Sequence, residues 1–455
     1  MVNKTPEPIH QPVTTTAERF FFVAYEGFFN LISNVIFATL LPMQLKRHNA
    51  FSQFNTATSI GSWICFGLIS FLGSLLDLSR NYLLGQVGFG VTAFILAAIA
   101  VAFASNGITV AFTGLTCYVL AITCMKASVI SNNSLLGYFE RSVIKKLSLL
   151  STGFGFAIEM VMYIFLYYFV SYESEKHTIF GLYELNLWNI ITLFIALVLL
   201  VMSAFTFDPK VFFSFKFSRR NFFSRTFRTY LRLLFKKKLR NLRNFIFAHF
   251  FYTSAMLFFS RYLTLLLIDL FDYKAKEVMF LHIFFAFARI VSILLGLLLR
   301  RKSSKGTLLI QVLCISICFF GMFGVKQFHT KIEWVRPIVF TMSFIVSFIF
   351  GWNMALSRTV LIRLVPKSHA CYFGVYVCVA ILGMAALSSV VSLITFLKLE
   401  KVLILCVLGV WSLLGVFFIF FIDVDEVDDD DSEEDNAIEI GHDDSYLLIP
   451  DEHLE

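Results

Sequence analysis

Between Asp208 and Arg243 the chain carries twelve lysines and arginines and one acidic residue, and long apolar runs border this segment on both sides. So many cations cannot stay within the hydrocarbon of a bilayer, and positively charged loops concentrate on the cytosolic side of a membrane. The segment also lies near the middle of the chain. It therefore predicts a cytosolic linker between two membrane-embedded halves.

The apolar runs on either side of this linker have the length that a membrane helix needs. A helix requires roughly 20 apolar residues to cross the hydrocarbon core, and 58% of this chain is hydrophobic. We predict twelve spans: Phe20–Leu41, Ser59–Leu76, Leu83–Ala104, Ile108–Ile130, Leu149–Val170, Leu187–Phe207, Phe245–Leu270, Val278–Leu299, Leu308–Val325, Ile338–Arg358, Phe373–Leu397 and Val402–Ile422.

The charges of the predicted loops indicate the orientation. If both termini are cytosolic, the cytosolic segments hold 25 lysines and arginines, with Arg358 counted among them, and the opposite side holds ten. Because an excess of lysine and arginine marks the cytosolic loops, this asymmetry predicts an N-in, C-in protein.

The two halves also repeat each other. Their first apolar runs begin at Phe20 and Phe245, 225 residues apart, and their second runs end in glycine-and-basic sequences at Gly73 and Gly296, 223 residues apart. Two six-helix repeats are typical of secondary transporters. We therefore expect an all-α membrane protein with a cytosolic N-terminus over 1–19, a six-helix bundle over 20–207, the basic linker over 208–244, a second six-helix bundle over 245–422 and an acidic tail over 423–455.

The acidic tail has a different character from the body. Sixteen of the chain's 31 acidic residues lie between Asp423 and Glu455. High charge density without apolar periodicity predicts a disordered segment. Within it, DDSYLL matches the acidic dileucine sorting pattern, with Asp443, Leu447 and Leu448 as the candidate sorting residues. This pattern favours a vacuolar or lysosomal membrane, with the plasma membrane as the alternative.

Three stretches resemble known transporters. Gly73, Asp77 and Arg80 resemble the signature of the major facilitator superfamily at the cytosolic end of span 2, and the resemblance gives them a gating role. Two longer stretches, NNSLLGYFERSVIKKLSLLSTGFGFAIE (Asn132 to Glu159) and RTVLIRLVPKSHACYFGVY (Arg358 to Tyr376), are similar to UMF-type facilitators. That family contains the vacuolar amino-acid effluxer of fungal autophagy. The resemblance implies the major facilitator fold, alternating access and export of amino acids from the vacuole to the cytosol.

Charged residues inside spans are the first candidates for function, because a charge near the bilayer centre costs at least about 2.5–3.5 kcal/mol. They are Glu26, Lys126, Glu159, Arg261 and Arg289. Glu159 and Arg289 each lie about ten residues from the cytosolic end of a span, roughly 15 Å deep. The resemblance places their spans, 5 and 8, against each other. We expect an ion pair that latches one transport state, the alternative being that each residue separately faces water or the interface.

A zwitterionic amino acid needs an acceptor for its ammonium and a donor for its carboxylate. Glu26 on span 1 and Arg261 on span 7 are the candidates, and Trp352 and Asn353 on span 10 could add stacking and polar contacts. We expect Lys126 to extend to the cytosolic interface. We also expect His249 and His282 to be structural, although histidine could relay protons.

The remaining features distinguish between classes of protein. The linker could lie on anionic lipid as an amphipathic helix or bind the acidic tail; nucleic acid is not expected, because no groove-reading motif is present. The sequence has no phosphate-binding loop and no metal-ligand set, so we expect no cofactor, no metal and no enzymatic activity. The alternatives are a plasma-membrane carrier of another small solute and a non-transporting receptor or scaffold on the same fold.

Overall fold

A computed structural model of the chain describes residues 16–42, 58–69 with 71, 82–105, 111–135, 141–173, 180–205, 222–298, 304–328, 332–364, 369–397 and 399–422. These residues are almost entirely helical. In chain order the helices are α1 (Thr16–Leu40), α2 (Thr58–Ile69), α3 (Tyr82–Ser105), α4 (Ala111–Leu135), α5 (Arg141–Glu173), α6 (Phe180–Ser203), α7 (Phe222–Phe235), α8 (Arg240–Phe271), α9 (Ala275–Leu298), α10 (Ser304–Phe328), α11 (Ile332–Leu364), α12 (His369–Phe396) and α13 (Leu403–Phe420).

The helices correspond to the predicted spans. Within the described ranges, nine helices are long and apolar enough to cross a membrane, and α2 and the apolar part of α6, Leu187–Ser203, are shorter apolar helices. With the 32-residue α8, they form the predicted all-α membrane protein of twelve helices, six before α7 and six after it. In the orientation predicted by loop charge, α1 begins on the cytosolic side.

Several helices extend further than the apolar pattern predicts, and in two of them this changes the position of residues near the predicted end. The predicted fourth span ends at Ile130, but α4 continues to Leu135; the predicted tenth span ends at Arg358, but α11 continues to Leu364. The polar residues that seemed to mark a span end are instead buried against neighbouring helices, as Arg358 is. The assignment of Arg358 to a cytosolic segment was therefore wrong.

Helix α6 shows how the outer surface is built. Its residues at spacings of three and four are large, apolar and exposed, whereas the intervening face is buried and partly polar. The exposed set is Ile190, Phe194, Val198 and Val201, and the buried set is Asn189, Thr192 and Ala196. An apolar stripe of this kind is unfavourable in water but matches lipid.

The two bundles meet along a broad boundary. Helix α5 packs against α9 and α11, α4 contacts α12, and the second half of α1 contacts α8. Residues on α1, α4 and α5 therefore face residues on α8, α9, α11 and α12 across the boundary between the repeats.

Glycines set the closest helix approaches, in equivalent places in the two bundles. A Cβ on Gly155 of α5 would lie 2.9 Å from the Glu26 carbonyl oxygen of α1. A Cβ on Gly383 of α12 would lie 2.7 Å from the Phe250 carbonyl oxygen of α8. The two glycines are 228 residues apart, close to the sequence offsets of 223 and 225. Small residues at such crossings allow membrane helices to pack backbone to backbone.

We predict that Gly351→Ala destabilises the protein. A Cβ at Gly351 of α11 would lie 2.7 Å from both Cα and the carbonyl oxygen of Arg289 on α9. Backbone atoms cannot move aside at low cost, so we expect overpacking to lower the free energy of unfolding by about 1–3 kcal/mol. Thermal unfolding of the purified protein measures this loss. Gly324→Ala is the matched control because nothing lies within 4 Å of its added Cβ, and an equal loss in both variants contradicts the packing argument.

The linker is described from Phe222 onward and forms α7, an amphipathic helix. Phe227 and Phe235 are 64% and 76% exposed, whereas Leu233 is buried. Arg243 donates a hydrogen bond to the carbonyl oxygen of Leu234 at 2.5 Å, which connects α7 to the start of α8. The predicted helix is therefore present in this part of the linker. Its binding to anionic lipid or to the acidic tail stays a prediction, and the tail lies outside the described residues.

Candidate functional site

A cavity of about 80 Å³ lies at the boundary between the two bundles. Helices α1, α4 and α5 of the first bundle and α8, α11 and α12 of the second contribute its lining. Among the described residues, four charged side chains face it: Glu26, Lys126, Arg261 and Arg358. The two charged residues expected to contact substrate, Glu26 and Arg261, thus line a chamber with charged walls rather than facing lipid.

Glu26 is paired across the bundle boundary. Arg358 of α11 donates a hydrogen bond from Nη1 to Glu26 Oε1 of α1 at 2.5 Å, and both side chains are 5% exposed. Glu26 was expected to accept a substrate ammonium, and Arg358 was placed in a cytosolic segment. One oxygen of the Glu26 carboxylate is therefore already bound by a guanidinium, and the contact of Glu26 with substrate stays a prediction.

A second ion pair crosses the same boundary between α5 and α9. Arg289 Nη1 lies 2.9 Å from Glu159 Oε1, with the side chains 4% and 2% exposed. Asn34 of α1 donates to the other carboxylate oxygen, Oε2, at 2.8 Å. The structure thus brings together the two residues whose equal depths suggested contact; their role as a latch stays a prediction.

Two aromatic rings contact the cation of this pair. Phe156 of α5 and Phe350 of α11 each place a ring centroid 5.1 Å from Arg289 Cζ. Ser260 of α8 accepts a further hydrogen bond from Arg289 Nη2 at 3.3 Å. Cation–π contacts suit a planar guanidinium. Arg289 is therefore positioned by contacts from three other helices, α5, α8 and α11.

A third contact layer lies one helical turn further from the cytosolic side. The Tyr163 ring of α5 stacks on the His282 ring of α9, with centroids 4.9 Å apart. His282 Nε2 is hydrogen bonded to Thr264 Oγ1 at 2.9 Å, and Tyr163 Oη to Thr39 Oγ1 at 2.8 Å. The bundles therefore touch on the cytosolic side of the cavity at Glu26 and on the opposite side at Tyr163.

His249 occupies a packed position in the second bundle. Its Nδ1 is hydrogen bonded to Thr253 Oγ1 at 2.7 Å, and its ring stacks on Tyr376 with centroids 3.8 Å apart. Like His282, it is buried with a hydroxyl partner. It also lines the cavity, and its buried Nε2 has no hydrogen-bond partner among the described residues, so a structural role stays a prediction.

Lys126 differs from its expected position. Helix α4 continues nine residues past it to Leu135, about 14 Å at 1.5 Å per residue. Its Nζ lies 5.3 Å from the Phe29 ring centroid of α1, and the residue lines the cavity. The expectation that it extends to the interface was wrong, because the end of the helix was placed too early.

Lys126 and Arg261 share one further property. Within the described ranges, neither side chain forms an ion pair with a carboxylate. The titratable groups that act electrostatically on Lys126 are Arg261, Cys65, Arg358 and Glu26. The cavity wall therefore carries two cations, one from each bundle, without an anionic protein partner.

Two other candidates do not line the cavity. Asn353 of α11 donates from Nδ2 to Gln311 Oε1 of α10 at 3.0 Å. Trp352 packs on α9, where a Cβ on Gly296 would lie 3.2 Å from its Nε1. Both residues are on the faces of α11 that turn towards the rest of their own bundle. Gly73, Asp77, Arg80 and the sorting residues Asp443, Leu447 and Leu448 lie outside the described residues.

A polar stripe on α1 was visible in the sequence but was not used. Glu26, Asn30 and Asn34 recur every four residues, which places them on one helix face. All three line the cavity, and Asn34 Nδ2 lies 3.4 Å from Asn30 Oδ1. The helix changes to π-helical geometry at Leu31–Leu40, within this stripe; such changes are frequent at functional sites.

Comparisons with known proteins identify the family. The sequence matches the Major Facilitator Superfamily over residues 24–388, whereas none of the curated proteins compared with the chain matches it. Among solved structures, the D-xylose–proton symporter superposes with a TM-score of 0.66 at 12% identity, covering 90% of this chain and 98% of its own. The human organic anion transporter MFSD10 (TETRAN) superposes with a TM-score of 0.62 at 13% identity, covering 90% and 100%.

The E. coli fucose–proton symporter FucP is a third similar structure, with a TM-score of 0.58 at 13% identity and coverage of 90% and 100%. At these identities the superpositions establish the fold alone. The sequence match, however, extends from α1 to α12. With twelve membrane helices in two six-helix repeats around a polar chamber, this chain belongs to the Major Facilitator Superfamily.

Proposed function

We propose that this protein is a secondary transporter that exports amino acids from the vacuole to the cytosol by alternating access. The observation that carries the proposal is the cavity between the two bundles, which has charged walls and cross-bundle contacts on both sides. In alternating access the two bundles move against each other around a central site. A chamber of this kind can enclose a solute during that movement. Family membership supports transport rather than enzymatic catalysis.

The wall of the cavity offers groups for both ends of an amino acid. Lys126 and Arg261 can donate to a carboxylate. Asn133 lines the cavity, and its buried Oδ1 has no hydrogen-bond partner among the described residues. That oxygen joins Glu26 as a candidate acceptor for a substrate ammonium, because a buried unpaired acceptor gains most from a donor.

The stretches that resemble the amino-acid effluxer family contribute to this same site. Asn133, Arg358 and Tyr376 belong to those two stretches, and all three line the cavity. This coincidence supports an amino acid as the solute. The acidic dileucine pattern at Asp443, Leu447 and Leu448 supports the vacuolar address.

Flux in reconstituted vesicles tests the proposal. We expect vesicles that contain the purified full chain to take up radiolabelled amino acids above the level of protein-free vesicles. This uptake should saturate, and unlabelled amino acid should compete with it. A panel of leucine, alanine, glutamate and lysine, with and without a proton gradient, identifies the solute and any coupling. Absence of flux for every member contradicts amino-acid transport. Imaging of the tagged full chain in cells tests which membrane contains the protein, and a plasma-membrane location contradicts vacuolar export.

A further inference from the structure

The charges around the cavity do not balance. Among its lining residues Glu26 is the acid, whereas Lys126, Arg261 and Arg358 are the cations. Arg358 already pairs with Glu26. This leaves the positive charges of Lys126 on α4 and Arg261 on α8, which come from opposite bundles.

A cation surrounded by membrane protein is costly unless a partner or water stabilises it. The groups near Lys126 do not supply a full partner. The Phe29 ring offers a cation–π contact, and Arg261 and Arg358 repel the lysine. Glu26 attracts it, but that carboxylate is already paired with Arg358. A neutral zwitterion brings an ammonium with its carboxylate and leaves the net charge of the chamber unchanged. A solute with net negative charge reduces it.

We infer that the cavity selects solutes of net negative charge, dicarboxylates and acidic amino acids, with Lys126 and Arg261 as the two cationic side chains that bind them. This inference rests on the proposed function and narrows the substrate class of the same site. It also has a mechanical consequence. Without solute the two cations repel each other across the bundle boundary, and an anion between them attracts both, so anion binding favours the closed bundles.

Binding by the purified full chain tests the selection independently of transport. The probes are succinate, glutamate, leucine and lysine, added at constant ionic strength, with thermal stabilisation and calorimetry as readouts. We expect succinate and glutamate to bind more tightly than leucine, and lysine to bind least. Lys126→Gln and Arg261→Gln should each weaken succinate binding by at least about tenfold, the effect of losing one charged hydrogen bond.

The same variants should weaken the binding of leucine less than the binding of succinate, because leucine has a single carboxylate to share between Lys126 and Arg261. Lys126→Arg should retain the preference for anions. Lys276→Gln is the matched control: Lys276 is exposed, with Nζ 5.8 Å from the Tyr167 ring centroid, so its loss removes a cation outside the cavity and should leave succinate binding unchanged.

The outcomes separate this inference from the proposed function. Leucine binding as tight as succinate binding, with no change in Lys126→Gln, overturns the charge selection even if leucine is transported. Preferential binding of succinate or glutamate to a protein that transports no amino acid supports the charge selection and contradicts the proposed amino-acid export.

Discussion

Replacing Arg289 with glutamine is expected to lower the free energy of unfolding by about 3–5 kcal/mol, because Glu159 then remains as a buried carboxylate without its cation. Asn34 still donates to that carboxylate, but a neutral amide cannot cancel its charge. The change also removes a guanidinium that joins α9 to α5. We therefore expect transport in vesicles to fall together with thermal stability.

An exposed ion pair in the same protein provides the control. Arg336 and Glu277 lie 3.6 Å apart with side chains 31% and 41% exposed. Because water screens such a pair, Glu277→Gln should lower the free energy of unfolding by no more than about 1 kcal/mol. Equal losses in Arg289→Gln and Glu277→Gln contradict the argument from burial.

The charge swap tests whether the two residues act together. Combining Glu159→Arg with Arg289→Glu should recover part of the stability and activity that either single change removes. Recovery is expected to be partial, since Phe156 and Phe350 stack well on a guanidinium but not on a carboxylate. A swapped protein as inactive and unstable as the single variants would count against a coupled pair.

The second large effect is expected from Glu26→Gln, which removes the anion from the cytosolic-side contact between α1 and α11. A charged hydrogen bond of this kind contributes about 1.5–3 kcal/mol, and 1.4 kcal/mol changes a population tenfold. If opening towards the cytosol separates Glu26 from Arg358, the open state should become at least about tenfold more populated.

Labelling of Cys378 reports that opening. Cys378 is buried on α12, where its Sγ lies 3.6 Å from the Phe66 carbonyl oxygen of α2. In a protein with Cys378 as its single cysteine, Glu26→Gln should speed labelling by a polar maleimide added on the cytosolic side. Unchanged labelling with normal transport contradicts a latch at this position.

The double variant separates the latch from simple stability. Glu26→Gln alone leaves Arg358 buried without its partner and should destabilise the protein. Adding Arg358→Gln removes the unpaired charge, so thermal stability should recover. The contact between α1 and α11 is still weakened, and labelling of Cys378 should therefore stay fast. Recovery of slow labelling in the double variant would show that the single change acts through stability.

The fold could be predicted because the bilayer imposes it. Span length follows from the thickness of the hydrocarbon, and the repeat follows from offsets such as Gly73 to Gly296. Part of the site was predictable for the same reason, since charge inside a span is costly and marks residues such as Glu159 and Arg289.

The errors have a common physical cause. Arg358 and Lys126 were assigned to helix ends, because in a linear sequence a charge after an apolar run indicates the interface. Both residues are inside longer helices, where contacts with other helices stabilise the charge. Trp352 and Asn353 were candidates for the cavity with core packing as the favoured alternative, and the sequence could not decide between these positions, because the direction of a side chain depends on how α11 rotates against α9 and α10.

The order of residues by itself determined the membrane topology, the two repeats and the short set of charged side chains that must have partners, because hydropathy and charge act on each segment separately. The Glu159–Arg289 pair was expected from equal depths and the resemblance, and the structure contains it. Only the tertiary structure decided the other partners: Glu26 pairs with Arg358, and Lys126 and Arg261 have no acid in an ion pair within the described ranges. Such pairings join residues more than 100 positions apart, and helix packing alone sets the distances between them.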